Sequence, residues 1–383
     1  MTKAFRLSMS FLALLIGLGI VLILSVMGKK TRGPLENLFS YTGDKVNEME
    51  NSMIIQQRED KRSDKLKWLD TYKSNIAVLR NPQVILTGAY DNNTKDGFSS
   101  IIDLEDSLRT IFPIIHIYTA WGGKTEELFP TLQVKSIIGM GSIPLITWEP
   151  WLTDFDPANY PQLRPVDKRD KGGMHDVANG VYDFYIKAWA DEAKSIKSPV
   201  MLRVGHEMND PYRYPWGPQN NTAKDFIAAW RHIHDVFVQQ GATNIIWVWS
   251  PHPAYGYFKD FYPGDAYVDY VGVGVLNYGT VASWSKWWSF EDIFGKHYKE
   301  LAVFNKPIMI TEFGSLAVGG NRSQWFASAL DSMPQKYPAV KSVVFFHYSD
   351  DKTTTQQTIN WYFKDDTASV KAISSSIKGW KKQ

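Results

Sequence analysis

Two glutamates occupy comparable places in the chain. Glu207 closes an apolar stretch that begins at Val200, and Glu312 closes another that begins at Pro307. Each side chain is therefore expected to emerge at the edge of a dry interior. Such a pair suits cleavage of a glycosidic bond: one carboxylic acid protonates the departing oxygen, and one carboxylate attacks the anomeric carbon or activates water. Desolvation and a neighbouring negative charge raise the pKa of the acid, while hydrogen bonds keep its partner ionised. Either glutamate alone could equally be a structural ion-pair partner at a strand end. Two of them amid many Trp and His residues favour the chemical reading.

Rival chemistries lack their equipment. There is no nucleophile elbow around a serine and no glycine loop of the phosphate-cradling kind. With Cys 0, a thiol nucleophile, a disulfide framework and a Cys-ligated metal are all excluded. His206-Glu207 opens like a zinc-protease motif, but Asp210 stands where the second histidine is required and the segment reads as a strand. His232 and His234 fall on different faces of a helix. No cofactor and no specific metal site are expected.

The elements that must carry these glutamates are short, continuous apolar runs: Val84–Thr87, Ile114–Tyr118, Ile143–Thr147, Val200–Val204, Ile245–Trp249, Val268–Val275, Pro307–Thr311 and Val343–Phe346. Continuity rather than alternation marks strands buried on both faces. Helical spacing lies between them, as in Phe184–Ala193, Lys224–Gln239 and Gln324–Ser332. Eight buried strands alternating with helices over residues 80–383 predict an α/β fold of the (β/α)8 TIM-barrel type. No G-x-G-x-x-G turn follows the first strand, which argues against a doubly wound open sheet.

Ahead of the barrel the character changes twice. Lys3 and Arg6 precede an apolar stretch from Phe11 to Met27, followed by Lys29, Lys30 and Arg32 without a convincing cleavage site. Residues 1–32 are therefore expected to be a signal-anchor or transmembrane segment, or a leader if cleaved. The flanking charges do not decide the orientation, since three basic residues follow the span and two precede it. Residues 33–79 are expected to be a polar stalk. Lys+Arg 42 against Asp+Glu 40 gives no electrostatic reason to expect nucleic acid. The 15 Trp, 19 Tyr and 20 Phe suit a cleft that stacks flat ligands.

In a barrel the working residues stand at the C-terminal strand ends. Trp148, Trp151, Trp216, Trp249 and Tyr278, with Trp121 behind them, are the candidates for stacking on sugar rings; Glu149 is a candidate for a sugar hydroxyl, or for holding a neighbouring Arg or His. Trp284, Trp287 and Trp288 would wall distant subsites or cover the rim. Strand alternation puts Arg203, Gly205 and Glu207 on one face and Ile308, Ile310 and Glu312 on another. Arg203 should then lie beneath Glu207, within reach of carboxylates, and His206 should point away unless the strand end kinks; both are also candidates for contacts to substrate, His206 being equally readable as a structural histidine.

The segment Arg203-x-x-His206-Glu207-Met208-Asn209, followed by Tyr214-Pro215-Trp216-Gly217, resembles the acid/base motif of glycoside hydrolase family 26. The runs Trp247–Pro251 and Tyr262–Asp269 are similar to that family's fifth and sixth strand regions, and Ile310–Gly314 to its nucleophile strand. The resemblance implies that Glu207 is the general acid/base and Glu312 the nucleophile of a retaining enzyme. It also implies a β-linked mannan or mixed-linkage glucan as substrate, and hence a catalytic domain outside the cytoplasm. Two departures stand out. Where many members carry Asp-x-Tyr at the sixth strand end, this chain has Gly274 and Leu276. Where the eighth strand usually offers a Trp, it has Phe345–Tyr348. A glycan-binding barrel that has lost turnover therefore remains an alternative. So does a processing hydrolase acting on an exported polysaccharide.

Overall fold

The computed structural model describes residue 17, residue 62 and residues 64–94, 97–352 and 357–380. Apart from residue 17 the expected anchor lies outside the described residues, as does most of the expected stalk. Among the described residues no helix is long and apolar enough to cross a membrane.

Eight parallel strands close a barrel in chain order: β1 Leu86–Asp91, β2 Ile114–Ala120, β3 Ile143–Glu149, β4 Val200–Val204, β5 Ile245–Trp249, β6 Tyr270–Asn277, β7 Ile308–Ser315 and β8 Val340–His347. β8 pairs with β1 to complete the ring. The intervening helices show the expected end signals. The helix Ala223–Gln240 starts at a capping box between Thr222 and Asp225 and stops at Gly241 with φ +80°.

Alternation along the strands divides the core into two. Leu86, Ile114, Leu145, Met201, Val248 and Met309 form an inner cluster at the barrel floor. Ile115, Ile146, Leu202, Trp247, Val271 and Ile310 belong to the outer cluster that packs against the helices. Above the floor the interior turns polar, with His116, Thr147, Arg203 and Thr311 all buried. Gly272 is required at this level, because a Cβ there would stand 2.8 Å from Cβ of Ser250 and 3.0 Å from Cγ2 of Thr311.

The boundary expected at residue 80 lies too late. Leu66, Leu69 and Leu79 are buried in the floor cluster, and the Tyr270 hydroxyl donates to the Leu79 carbonyl at 2.6 Å. Arg62 forms a buried ion pair with Glu105 at 3.0 Å and also donates to the Met140 carbonyl. The end of the polar segment therefore seats in the barrel rather than standing in solvent. Its leucines are spaced too irregularly among charged residues to announce this.

Candidate active site

Strict alternation would send Glu312 outward. Ile308 and Ile310 belong to the outer cluster, whereas Met309 lies in the inner one. The strand corrects this with a bulge. Pairing to β6 runs Val273 with Ile310 and then Gly274 with Glu312, so Thr311 is the extra residue. The same slip appears against β8. Thr311 and Glu312 consequently both face the interior, a typical use of a bulge to re-aim a side chain. The expected common face for Ile308, Ile310 and Glu312 is therefore wrong, although Glu312 still reaches the barrel mouth.

There its Oε1 accepts from Arg203 Nη2 at 2.5 Å and from the Tyr118 hydroxyl at 2.8 Å. Arg203 is held in turn, with Nε on Thr147 Oγ1 and Nη1 on Thr311 Oγ1, both at 2.7 Å. Burial pushes the Glu312 carboxyl up, but the Arg203 charge and the two hydrogen bonds outweigh it and hold the group below the usual carboxylate value.

Glu207 arrives by a different device. β4 ends at Val204, and Gly205 and Glu207 both adopt positive φ, +48° and +54°. For glutamate this conformation costs about 1–2 kcal/mol. It is fixed by hydrogen bonds from Gly205 N–H to the Trp148 carbonyl at 3.0 Å and from Glu207 N–H to the Ser250 carbonyl at 2.7 Å. This kink brings His206 inward as well. Burial raises the Glu207 carboxyl to about 7; the Arg213 charge opposes this and the Glu312 charge adds to it. Arg213 Nη1 stands 3.5 Å from Glu207 Oε2.

Gly274 lies beside both acids. A Cβ on it would lie 3.6 Å from Glu207 Oε1 and 3.8 Å from Glu312 Oε2. Both oxygens therefore border the open space over this glycine, and any side chain there would crowd them.

The remaining candidates divide. His206 Nε2 meets the Tyr214 hydroxyl at 2.9 Å and Glu149 Oε1 at 4.0 Å. Burial, then the Arg203 charge, keeps its imidazole neutral. Trp216 is buried, donates to the His206 carbonyl at 2.8 Å and stacks on Tyr214, so it braces His206 rather than facing the cleft. Trp151 Nε1 donates to Glu149 Oε2 at 3.3 Å. Glu149 is raised to about 7, mainly by burial, against the Trp151 hydrogen bond. Tyr278, Trp284 and Trp288 line the cleft, whereas Trp287 packs over Gly320 at the rim.

Trp121, Trp148 and Trp249 are not brought to the site. All three are fully buried. Trp148 stacks on Trp189 at 4.3 Å and Trp121 packs beside it at 4.6 Å, while Trp249 meets Tyr262 and Phe304. The cause is parity: Thr147 and Val248 point inward, so Trp148 and Trp249 must point outward. Three contributors carry no role in the reading of the sequence: Tyr118 and His252, which stand at strand ends, and Arg213. Tyr118 was within reach of the same parity argument, being two residues beyond the inward His116. Arg213 and His252 sit on loops that carry no period. Together with Glu207 and Tyr278, Arg213 and His252 line a cleft of about 860 Å³.

Residues 147–370 match the profile of Glycosyl hydrolase family 26. The chain belongs to that family. This family 26 chain is 34% identical over 263 residues to Endoglucanase H of Acetivibrio thermocellus, covering 66% of the chain and 27% of that protein. It is 29% identical over 161 residues to a mannan endo-1,4-beta-mannosidase of Bacillus subtilis, covering 40% of each. The chain thus spans well under half the length of either relative. Among solved structures, the GH26 beta-mannanase BoMan26A of Bacteroides ovatus superposes with a TM-score of 0.56 at 17% identity, covering 79% of this chain and 91% of that one. At that identity the likeness speaks to fold alone. The profile match begins inside β3, so Tyr118 and its strand lie outside it.

Proposed function

We propose that this family 26 barrel is a retaining endo-β-glycanase acting on β-1,4-mannan or mixed-linkage β-1,3-1,4-glucan. The observation that carries the reading is the contrast between two carboxyls beside Gly274, one raised to about 7 and one held ionised by Arg203 and Tyr118. Because Oε1 of Glu312 is tied to those donors, Oε2 is the oxygen free to attack the anomeric carbon. Glu207 gives its proton to the glycosidic oxygen as the bond breaks. Esterification then removes the Glu312 charge, which lowers the Glu207 pKa and readies it to take a proton from water in the second step. The aromatic side chains of Tyr278, Trp284 and Trp288 supply faces for pyranose rings along the cleft.

A polysaccharide panel tests this. The expected result is cleavage within β-mannan or lichenan, with products that first appear in the β configuration by proton NMR. First-formed α products would contradict retention, and inertness on every β-glycan would favour a binding barrel. We also propose that residues 1–32 tether the enzyme with its barrel outside the cytoplasm. The apolar stretch Phe11–Met27 between basic flanks and the polymeric substrate support this. The full chain should remain with the membrane fraction after an alkaline carbonate wash, and release by that wash would refute the tether.

A further inference from the structure

His252 lies just past β5, beside the acid Glu207, and the catalytic cycle above leaves it without a task. Its position is tightly fixed. Asn209 Oδ1 accepts from the His252 N–H at 2.7 Å, and Asn209 Nδ2 donates to the His252 and Gly256 carbonyls, both at 2.9 Å. The ring packs against Tyr255 at 4.7 Å. The Ala254 N–H donates to Nδ1 at 3.1 Å, which fixes the neutral tautomer with its proton on Nε2. Burial keeps the ring neutral by lowering its pKa to about 4.

A ring nitrogen of His252 and one carboxylate oxygen each from Asp210 and Glu207 lie within 4.8 Å of one another. Among the described residues, no direct hydrogen bond joins the imidazole to either acid. Two hydrogen bonds of about 2.8 Å meeting at one tetrahedral oxygen span about 4.6 Å. That span lies inside the 4.8 Å bound, so one hydroxyl can bridge the imidazole and a carboxylate. Asp210 is oriented for such a contact, because its Oδ1 is already engaged by the Tyr212 N–H at 2.8 Å and its other oxygen remains to accept. A cation fits less well: the Ala254 N–H takes one imidazole lone pair, the other nitrogen carries the proton, and the Arg213 guanidinium stands 3.5 Å from Glu207.

Glu207 must touch the oxygen that joins two sugars, whereas Glu312 must touch the anomeric carbon of the sugar that is retained. Groups gathered around Glu207 therefore meet the sugar that leaves. We propose that His252 and Asp210 together recognise one hydroxyl of the departing sugar, the imidazole donating to it and the carboxylate accepting from it. This rests on the glycanase reading above.

The test compares two substrates of the full chain: a tetrasaccharide of the preferred glycan and the 2,4-dinitrophenyl β-glycoside of its disaccharide, which lacks a leaving sugar. His252→Ala should lower kcat/KM on the tetrasaccharide about 10-fold, chiefly through KM, against about 2-fold on the aryl glycoside. His252→Gln, which keeps a side-chain N–H donor, should recover part of the difference. Equal losses on both substrates would overturn the proposal, since they would place His252 in support of Glu207 itself. A wild-type chain inert on both would instead overturn the glycanase reading, a result distinct from equal losses.

Discussion

Glu312→Gln should end hydrolysis while leaving oligosaccharide binding in place, with turnover falling on the order of 10⁴-fold or more. The amide is nearly isosteric, so its oxygen can still accept from Arg203 and Tyr118, but it cannot form the glycosyl ester. The loss should therefore appear in kcat, with Kd for a tetrasaccharide changed only a few-fold by calorimetry. A second consequence follows from burial. Arg203 is 1% exposed and loses its counter-charge, and breaking such a pair outright costs about 3–5 kcal/mol. The retained hydrogen bonds offset part of this, so the variant should melt lower but still fold. Appreciable turnover by Glu312→Gln would show that the nucleophile lies elsewhere.

Glu207→Ala should divide substrates by leaving group. On polysaccharide, rate should fall about 10²- to 10⁴-fold, the usual worth of a positioned general acid. On a 2,4-dinitrophenyl glycoside, formation of the glycosyl ester needs no proton and should stay fast, while hydrolysis of that ester slows for want of a base. Added azide should take the place of water and yield a glycosyl azide of retained configuration. The pH profile follows from the same carboxyl. As the proposed acid, Glu207 must be protonated to act, so wild-type kcat/KM on polysaccharide should decline as pH rises through about 7. It should also decline on the acid side as Glu312, held below the usual carboxylate value, takes up a proton. In Glu207→Ala the alkaline decline should vanish on the aryl substrate. If it survives there, it belongs to Glu149, which burial also raises to about 7. If azide gives product of inverted configuration, the two glutamates do not act by double displacement.

The barrel was legible because buried parallel strands announce themselves as unbroken apolar runs, and eight of them recurred between helical segments. Glu207 and Glu312 were legible as acids that close such runs. Their aim was not. A one-residue bulge reverses the face of Glu312, and two positive φ angles turn His206 and Glu207, yet neither feature alters the pattern of residue types. The tryptophans misled for a related reason. A large aromatic next to a strand end looks like a sugar platform, but parity decides, and Trp148 and Trp249 sit on the wrong count. Tyr118 shows the converse, since the same count would have placed it inward. Arg213 and His252 lie on loops, where side-chain direction follows from backbone turns rather than from any period.

The leucines that stop the lower end of the barrel have a bearing on how a long polymer is reached. Arg62 and the leucines after it are seated at the pole where the strands begin, whereas Glu207 and Glu312 open at the pole where they end. Among the described residues before β1, none lines the cleft, so a polymer meets no part of that segment at the mouth.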